Sequence, residues 1–269
     1  MRRFVILAHE ASLDPGFPLD DLPGAGGRMD VLCRAVGAAF FLSHDLRRDV
    51  EVTLLLRDQV RIRFDGGRLK RLNPDERSTA GLIRRALSQL GDEERESSPG
   101  IRVSRAALEE TLDHLHLQGA HPLLLDEGGS PFRAASLPSD PAFILSDHMS
   151  FTEGDRSVLD ALPALSLGTR SLHTSQCITI VHYLLDSLAE IQDGDLVSCH
   201  KVWGEPKAQL IVGLLEDFGI RANLLRHASP SHLPVTMDGL AEVRIMVLER
   251  DLRRAREIIA DYFEEPVDE

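Results

Sequence analysis

The chain is short of several things, and each shortage removes a class of protein. Only three of its 269 residues are cysteines, Cys33, Cys177 and Cys199. They are scattered and odd in number, which argues against a disulfide framework and fits a reducing, cytoplasmic setting. No apolar run reaches the roughly 18 residues of a membrane span, so no membrane partner is expected. The start, MRRFVILAHEA, has a basic flank, but its apolar run is too short for a secretion signal and reads as a buried strand. HExxH and CxxC patterns do not occur, and His114 and His116, two apart on a predicted helix, cannot share a face, so no metal is expected. The turn Pro23-Gly24-Ala25-Gly26-Gly27 lacks the GxGxxG spacing of a dinucleotide fold and reads as a flexible entry to a helix. Positive charge is lacking overall, the net charge being −13, which ordinarily counts against nucleic acid as a partner.

What is present is an α/β pattern. Strands are predicted at 3–9, 51–56, 122–125, 142–145 and 164–167, with helices at 28–42, 104–117, after Thr152 and at 174–191. A basic hairpin is expected from 61–64 and 68–72 around Asp65-Gly66-Gly67. Asn73-Pro74-Asp75-Glu76 reads as a helix start with Asn73 as N-cap, and that helix ends in a charged, mobile loop at 91–100. The chain changes character at Gln192-Asp193-Gly194-Asp195. We place a boundary there, giving a large domain over 1–191 and a small one over 196–269. The small domain reads βαββα, with a polar loop at 227–239 and Gly219 closing its first helix.

Two features invite a ligand. Between residues 57 and 85 there are nine basic and four acidic residues, a basic island in an acidic chain. A solvated face is the alternative. The segments 143–151 (FILSDHMSF) and 166–186 (SLGTRSLHTSQCITIVHYLLD) each place a polar loop after a strand, the second leading into a helix N-terminus. His148 and His173 sit in these loops. Cys177 lies near that helix start without the partners of a cysteine nucleophile, and reads as a packing or loop-lining residue.

Four stretches, DLPGAGGRMDVLCRAVGAAFFLSHDLRRDVEVTLLL, LNPDERSTAGLIRRAL, FILSDHMSF and LGTRSLHTSQCITIVHYLLD, together resemble the TrmY family of tRNA pseudouridine N1-methyltransferases. They occur in the family's order over most of residues 1–191. The resemblance implies the SPOUT class, a parallel-sheet domain whose C-terminal part is a trefoil knot around S-adenosylmethionine. Periodicity could not have given that knot, since chain topology disfavours knots in general. It also implies Leu145, Gly168, Leu172, His173, Thr174 and Cys177 as cofactor-binding residues across three loops. This chain departs from the family at Ser146, where glycine is common, and at the polar Thr174-Ser175-Gln176.

The implied reaction moves a methyl group onto N1 of a pseudouridine in tRNA, at T-loop position 54 in the archaeal members. Asp49, matching an acidic family position, is the candidate for orienting or deprotonating the base, with strand-start or ion-pairing duty as the alternative. Arg28, Arg34, Arg47 and Arg48 are candidates for phosphate contacts, and Arg68, Lys70 and Arg71 of the basic island for further RNA contacts. The class implies a homodimer, for which Ile178, Val181, Leu184, Leu185 and Leu188 offer an apolar face; intramolecular core is the competing explanation. The tail, through GEPKAQLIVGLLEDFGI and RDLRRAREII, resembles a small ferredoxin-like family of prokaryotic signal-transducing proteins, and the join implies a bacterial source. A methyltransferase of the same fold acting on rRNA, or a non-catalytic regulatory protein binding S-adenosylmethionine or RNA, are the other readings.

Overall fold

The computed structural model describes residues 1–133, 136–192, 196–220, 222–226 and 242–263. The chain forms two compact units, Met1–Leu185 and Asp186–Glu269.

The large unit opens with β1 (Arg2–Ala8), whose side chains alternate between two cores. Phe4, Ile6 and Ala8 face one side of the sheet, and Val5 and Leu7 the other. A strand apolar on both faces must be covered on both, which is the burial pattern of a central parallel strand. β1 lies between β2 (Val50–Leu56) and β7 (Pro141–Ser146), parallel to each. β6 (His121–Pro131) and β8 (Ala164–Ser166) continue the parallel part beyond β7. Beyond β2 the sheet turns antiparallel through β3 (Val60–Asp65), β5 (Ile101–Arg105) and β4 (Arg95–Ser98). On one face lie α1 (Met29–Phe40), α2 (Glu76–Ser88) and α5 (Thr174–Gln192); on the other lie α3 (Leu108–Leu117) and α4 (Glu153–Leu159). Phe4, Phe40, Phe64 and Phe143 are fully buried in the first core. Each contributes about 2–3 kcal/mol by leaving water.

Three local expectations are corrected. The hairpin is β2–β3, turning through Arg57 and Asp58 at positive φ, because β3 finds its second partner in β5 and residues 68–72 form no strand. The cap of α2 is Asp75, still extended, whose carboxylate accepts from the Ser78 amide at 2.7 Å; Asn73 lies two residues before that cap. The segment 91–100 contains edge strand β4, and residues 101–105 form strand β5, so the helix expected from 104 starts at Leu108. The antiparallel wing is held by charge as well as by backbone. Arg63, buried, reaches Glu51 at 3.5 Å and Glu94 at 3.1 Å, and Glu94 also meets Arg61 and Arg102.

The dimer-face expectation is also revised. Ile178 and Val181 are fully buried in the large unit's own core, so α5 commits them to its own sheet. Leu184 and Leu185 are half-buried, and the side chain of Leu188 lies outside the described residues.

The small unit is an antiparallel sheet in the order β10 (Ala222–Arg226), β11 (Glu242–Leu248), β9 (Leu196–Trp203), packed with α6 (Glu205–Asp217) and α7 (Leu252–Phe263). Ala208, Ile211, Leu215, Ile245, Val247 and Ile259 fill its core. Gly219, at φ 76°, ends α6 in the left-handed conformation that glycine adopts without a Cβ penalty. The predicted loop 227–239 and the boundary residues 193–195 lie outside the described residues. No described helix is long and apolar enough to cross a membrane.

Candidate functional site

Parallel strands send their C-terminal ends to one edge of a sheet, and ligand clefts form there. At that edge the loops leaving β6, β7 and β8, with the start of α5, enclose a cleft of about 660 Å³. Leu145, Gly168, Leu172, His173, Thr174 and Cys177 all line it, together with His148 and Arg28. The six cofactor residues, spread over 32 positions from Leu145 to Cys177, meet because β7 and β8 both flank β6.

The walls are built by specific local choices. β6 pairs with β8 twice, and the residues between bulge outward, placing Asp126 and Glu127 at the cleft. The bulge closes at Gly129, where any Cβ would stand 2.6 Å from the backbone of Ala164 and Leu165. Only glycine permits that approach. Gly168 adopts φ 138° with open space where a Cβ would point, so its backbone is accessible. The Thr174 hydroxyl donates to the carbonyls of Ser146 and Asp147 at 2.7 and 3.0 Å, tying the α5 start to the loop after β7. It acts as a strut. Leu145, Leu165, Leu167, Leu172 and Cys177 supply apolar surface, while burial pushes the Cys177 thiol up to about 11, leaving it a neutral packing group.

Polar groups line the same space. Asp126 is ion-paired to Arg156, and this bond holds its carboxyl below the usual range despite partial burial. Asp147 is buried; burial opposes its ionisation, but bonds from the His9 ring and the amides of Met149 and His9 outweigh it and keep it ionised. The Ser146 hydroxyl, on the cleft wall, is buried without a hydrogen-bond partner. An orphaned buried hydroxyl costs about 1–3 kcal/mol, a cost that a ligand donor or acceptor would remove. Apolar walls for a flat ring, carboxylates for hydroxyl or ammonium groups, exposed backbone and one unsatisfied hydroxyl fit a nucleoside-type cofactor such as S-adenosylmethionine.

The other predicted site residues are elsewhere. Arg34 lies on α1, bonded to Asp30 at 2.8 Å and Glu76 at 3.3 Å. Asp49 precedes β2, more than half exposed and 3.4 Å from Arg2. Because β2 and β1 run parallel toward the cleft, Asp49 stands a full strand length from it, roughly 20 Å at ~3.3 Å per residue. Arg47 and Arg48 share that far end, and Arg48 donates to the carbonyls of Gly66 and Leu69. Arg68 pairs with Glu96 at 3.2 Å, whereas Lys70 and Arg71 are exposed beside it. The structure therefore gathers the cofactor residues and Arg28 at one edge, and Asp49, Arg47, Arg48, Arg68, Lys70 and Arg71 toward the other. Sequence reasoning passed over His9, Asp126, Asp147 and Asp155. Their only signal was position: His9, Asp126 and Asp147 follow apolar strand residues at the C-terminal edge.

Comparison with known proteins gives the family. Residues 1–189 match the family described as "Putative SAM-dependent RNA methyltransferase", and residues 205–262 match "Putative prokaryotic signal transducing protein". A tRNA (pseudouridine(54)-N(1))-methyltransferase of Haloarcula marismortui is 47% identical over 193 residues, covering 70% of this chain and 97% of the relative. The enzyme of the same name from Haloferax volcanii is 45% identical over the same shares. Among solved structures, Archaeoglobus fulgidus Nep1 bound to S-adenosylhomocysteine aligns with a TM-score of 0.54 at 18% identity, over 70% of this chain and 99% of that one, which shows a shared fold. On the extent of the family match and the identity to these relatives, the chain belongs to this family of S-adenosylmethionine-dependent RNA methyltransferases.

Proposed function

We propose that this protein transfers a methyl group from S-adenosylmethionine to N1 of a pseudouridine in tRNA, as a cytoplasmic homodimer. The observation that carries the reading is the cleft: one cavity unites all six predicted cofactor residues and leaves the Ser146 hydroxyl unsatisfied on its wall. Leu145, Leu165, Leu167 and Leu172 would hold the adenine, and Asp126 and Ser146 the polar groups of the cofactor. In the SPOUT class the segment from β7 to α5 is threaded as a trefoil knot, and we assign that threading to this chain. A groove of about 730 Å³ between α1, the start of α2 and α5, lined by Cys33, Phe41, Leu172 and Ile180, is the seat we assign to the second copy.

S-adenosylmethionine, when bound, supplies an electrophilic methyl on a sulfonium. The protein must hold N1 in line with it and accept the N1 proton. Orientation alone is worth several kcal/mol, of order 7 or more in favourable cases. Glu127 is the rim carboxylate placed to take the proton, because Asp126 and Asp147 are engaged by Arg156 and His9. Asp49 of the same chain is too distant; a role for it here requires a second copy to present it. Arg28, at the cleft mouth beside Asp30, suits a phosphate contact.

The reading is tested by incubating the full chain with S-adenosylmethionine and pseudouridine-containing tRNA, then analysing nucleosides by mass spectrometry. N1-methylpseudouridine is expected. Methylation of uridine alone, or of rRNA in preference to tRNA, would replace the substrate assignment.

A further inference from the structure

The cleft has a support that the proposed reaction does not use. His9 follows β1 and is half-buried behind the loop 147–151, lining a neighbouring cavity and not the cleft itself. Its ring Nδ1 lies 3.1 Å from Oδ1 of Asp147, and its Nε2 lies 2.8 Å from Oδ2 of Asp155. Its backbone amide also donates to Asp147 at 2.9 Å. The carboxylates are themselves fixed. Asp147 accepts from the Met149 amide at 2.9 Å, and Asp155 accepts from the amide and hydroxyl of its N-cap Thr152 at 2.7 and 2.8 Å. One imidazole thus joins three elements: the end of β1, the loop leaving β7, and the first turn of α4.

We propose that His9 is a positioning residue: by donating from both ring nitrogens to Asp147 and Asp155 it locks the loop 147–152, and through that loop sets the shape of the cofactor cleft. The inference rests on the cofactor reading given above. Residues 147–151 line the cleft, and Thr174 fastens the same loop from the α5 side, so a released loop opens the cavity on one wall.

The chemistry requires a charged ring. A neutral imidazole has one donor and one lone pair, so one carboxylate would face a lone pair. Both bonds exist together only in the imidazolium. The bond that the ring donates to Asp147, opposed by burial and reinforced by Asp155, accordingly raises the His9 pKa from 6.5 to about 9. Other charged groups surround the pair. His148 lies 3.4 Å from Asp147 and 3.2 Å from Glu10, Arg28 acts on Asp147, and Arg57, Asp58 and Glu109 border His9 from the β2–β3 turn and α3. Because the folded value is the raised one, the lock is complete below about 6.5 and is lost as pH rises through about 9.

The test compares wild type, His9→Gln and Asp155→Asn as full chains, using S-adenosylhomocysteine as the probe. Calorimetry should show wild-type affinity flat between neutral pH and about 8, then falling as His9 deprotonates near 9. His9→Gln should bind roughly tenfold more weakly at neutral pH and lose that fall, since the charged hydrogen bonds that hold the loop are gone. Asp155→Asn should move the fall to lower pH, a shift that general loosening would not produce. Hydrogen exchange without any ligand gives an independent reading. In His9→Gln the Met149 and Thr152 amides should exchange about tenfold faster while β1 and β2 keep their protection. Unchanged exchange at Met149 and Thr152, or an identical pH profile in His9→Gln, overturns the proposal. Failure of wild type to bind the probe would overturn the cofactor reading instead, and the exchange data would still decide whether His9 holds the loop.

Discussion

Two ends of one sheet carry charged side chains and use them differently. In the antiparallel wing, Arg61, Arg63 and Arg102 surround Glu94, and Glu51 completes the network. Those charges pair with one another and tie β3, β5 and the residue before β4 together, leaving, among the described residues, only the Nε groups of Arg61 and Arg63 without a hydrogen-bond partner in that network. At the C-terminal edge of the parallel strands, Arg28, Asp126, Glu127, Asp147 and the unpartnered Ser146 hydroxyl line a cavity. The difference follows from topology. Antiparallel neighbours bring side chains face to face across strands, so opposite charges pair. Parallel strands release their loops together at one edge, so polar groups converge on a space. A basic island counted along the sequence therefore says little about where an anionic partner binds.

The largest effect that would sharpen this contrast is at Gly129. Gly129→Val places a Cβ against the Ala164 and Leu165 backbone, breaks the β6–β8 junction and should abolish S-adenosylhomocysteine binding while lowering stability by about 2 kcal/mol or more. Calorimetry together with denaturant melts reads both; retained binding would show that the bulge does not shape the cleft. A smaller effect probes the other end. Replacing Lys70 and Arg71 with Ala should leave cofactor affinity unchanged and reduce the slope of log affinity for tRNA against log salt by about 1–2. An unchanged slope returns both residues to a solvated face.

Much of the fold was legible in the sequence. β1, β6, β7 and α5 announce themselves by apolar runs and helical spacing, and Gly219 marks the end of α6. The loops 143–151 and 166–186 could be singled out because polar residues directly follow short apolar strands. The wing was harder. β4 reads RESS, without the alternation of a half-buried strand, and it exists because β5 offers it an edge. Asn73 and Asp75 are both good caps, and only the backbone geometry chooses Asp75. Site residues beyond the loops were legible by resemblance alone, and resemblance gives no distances. Asp49 and Leu145 belong to neighbouring parts of one sheet, yet the parallel register of β2, β1 and β7 sets them at opposite ends. His9 was missed because its partners, Asp147 and Asp155, lie 138 and 146 residues away. The small unit shows the same limit: its βαββα order is readable, but nothing in its sequence names a ligand.

The central claim is that the loop edge, and not the basic wing, is the cofactor site. It is tested most directly by titrating S-adenosylhomocysteine into the isotopically labelled full chain and mapping the backbone amides that shift. Shifts concentrated at residues 126–129, 145–150 and 167–177, with the amides of β3, β4 and β5 unmoved, are the predicted result. Shifts centred on residues 61–71, or none at saturating ligand, would contradict it.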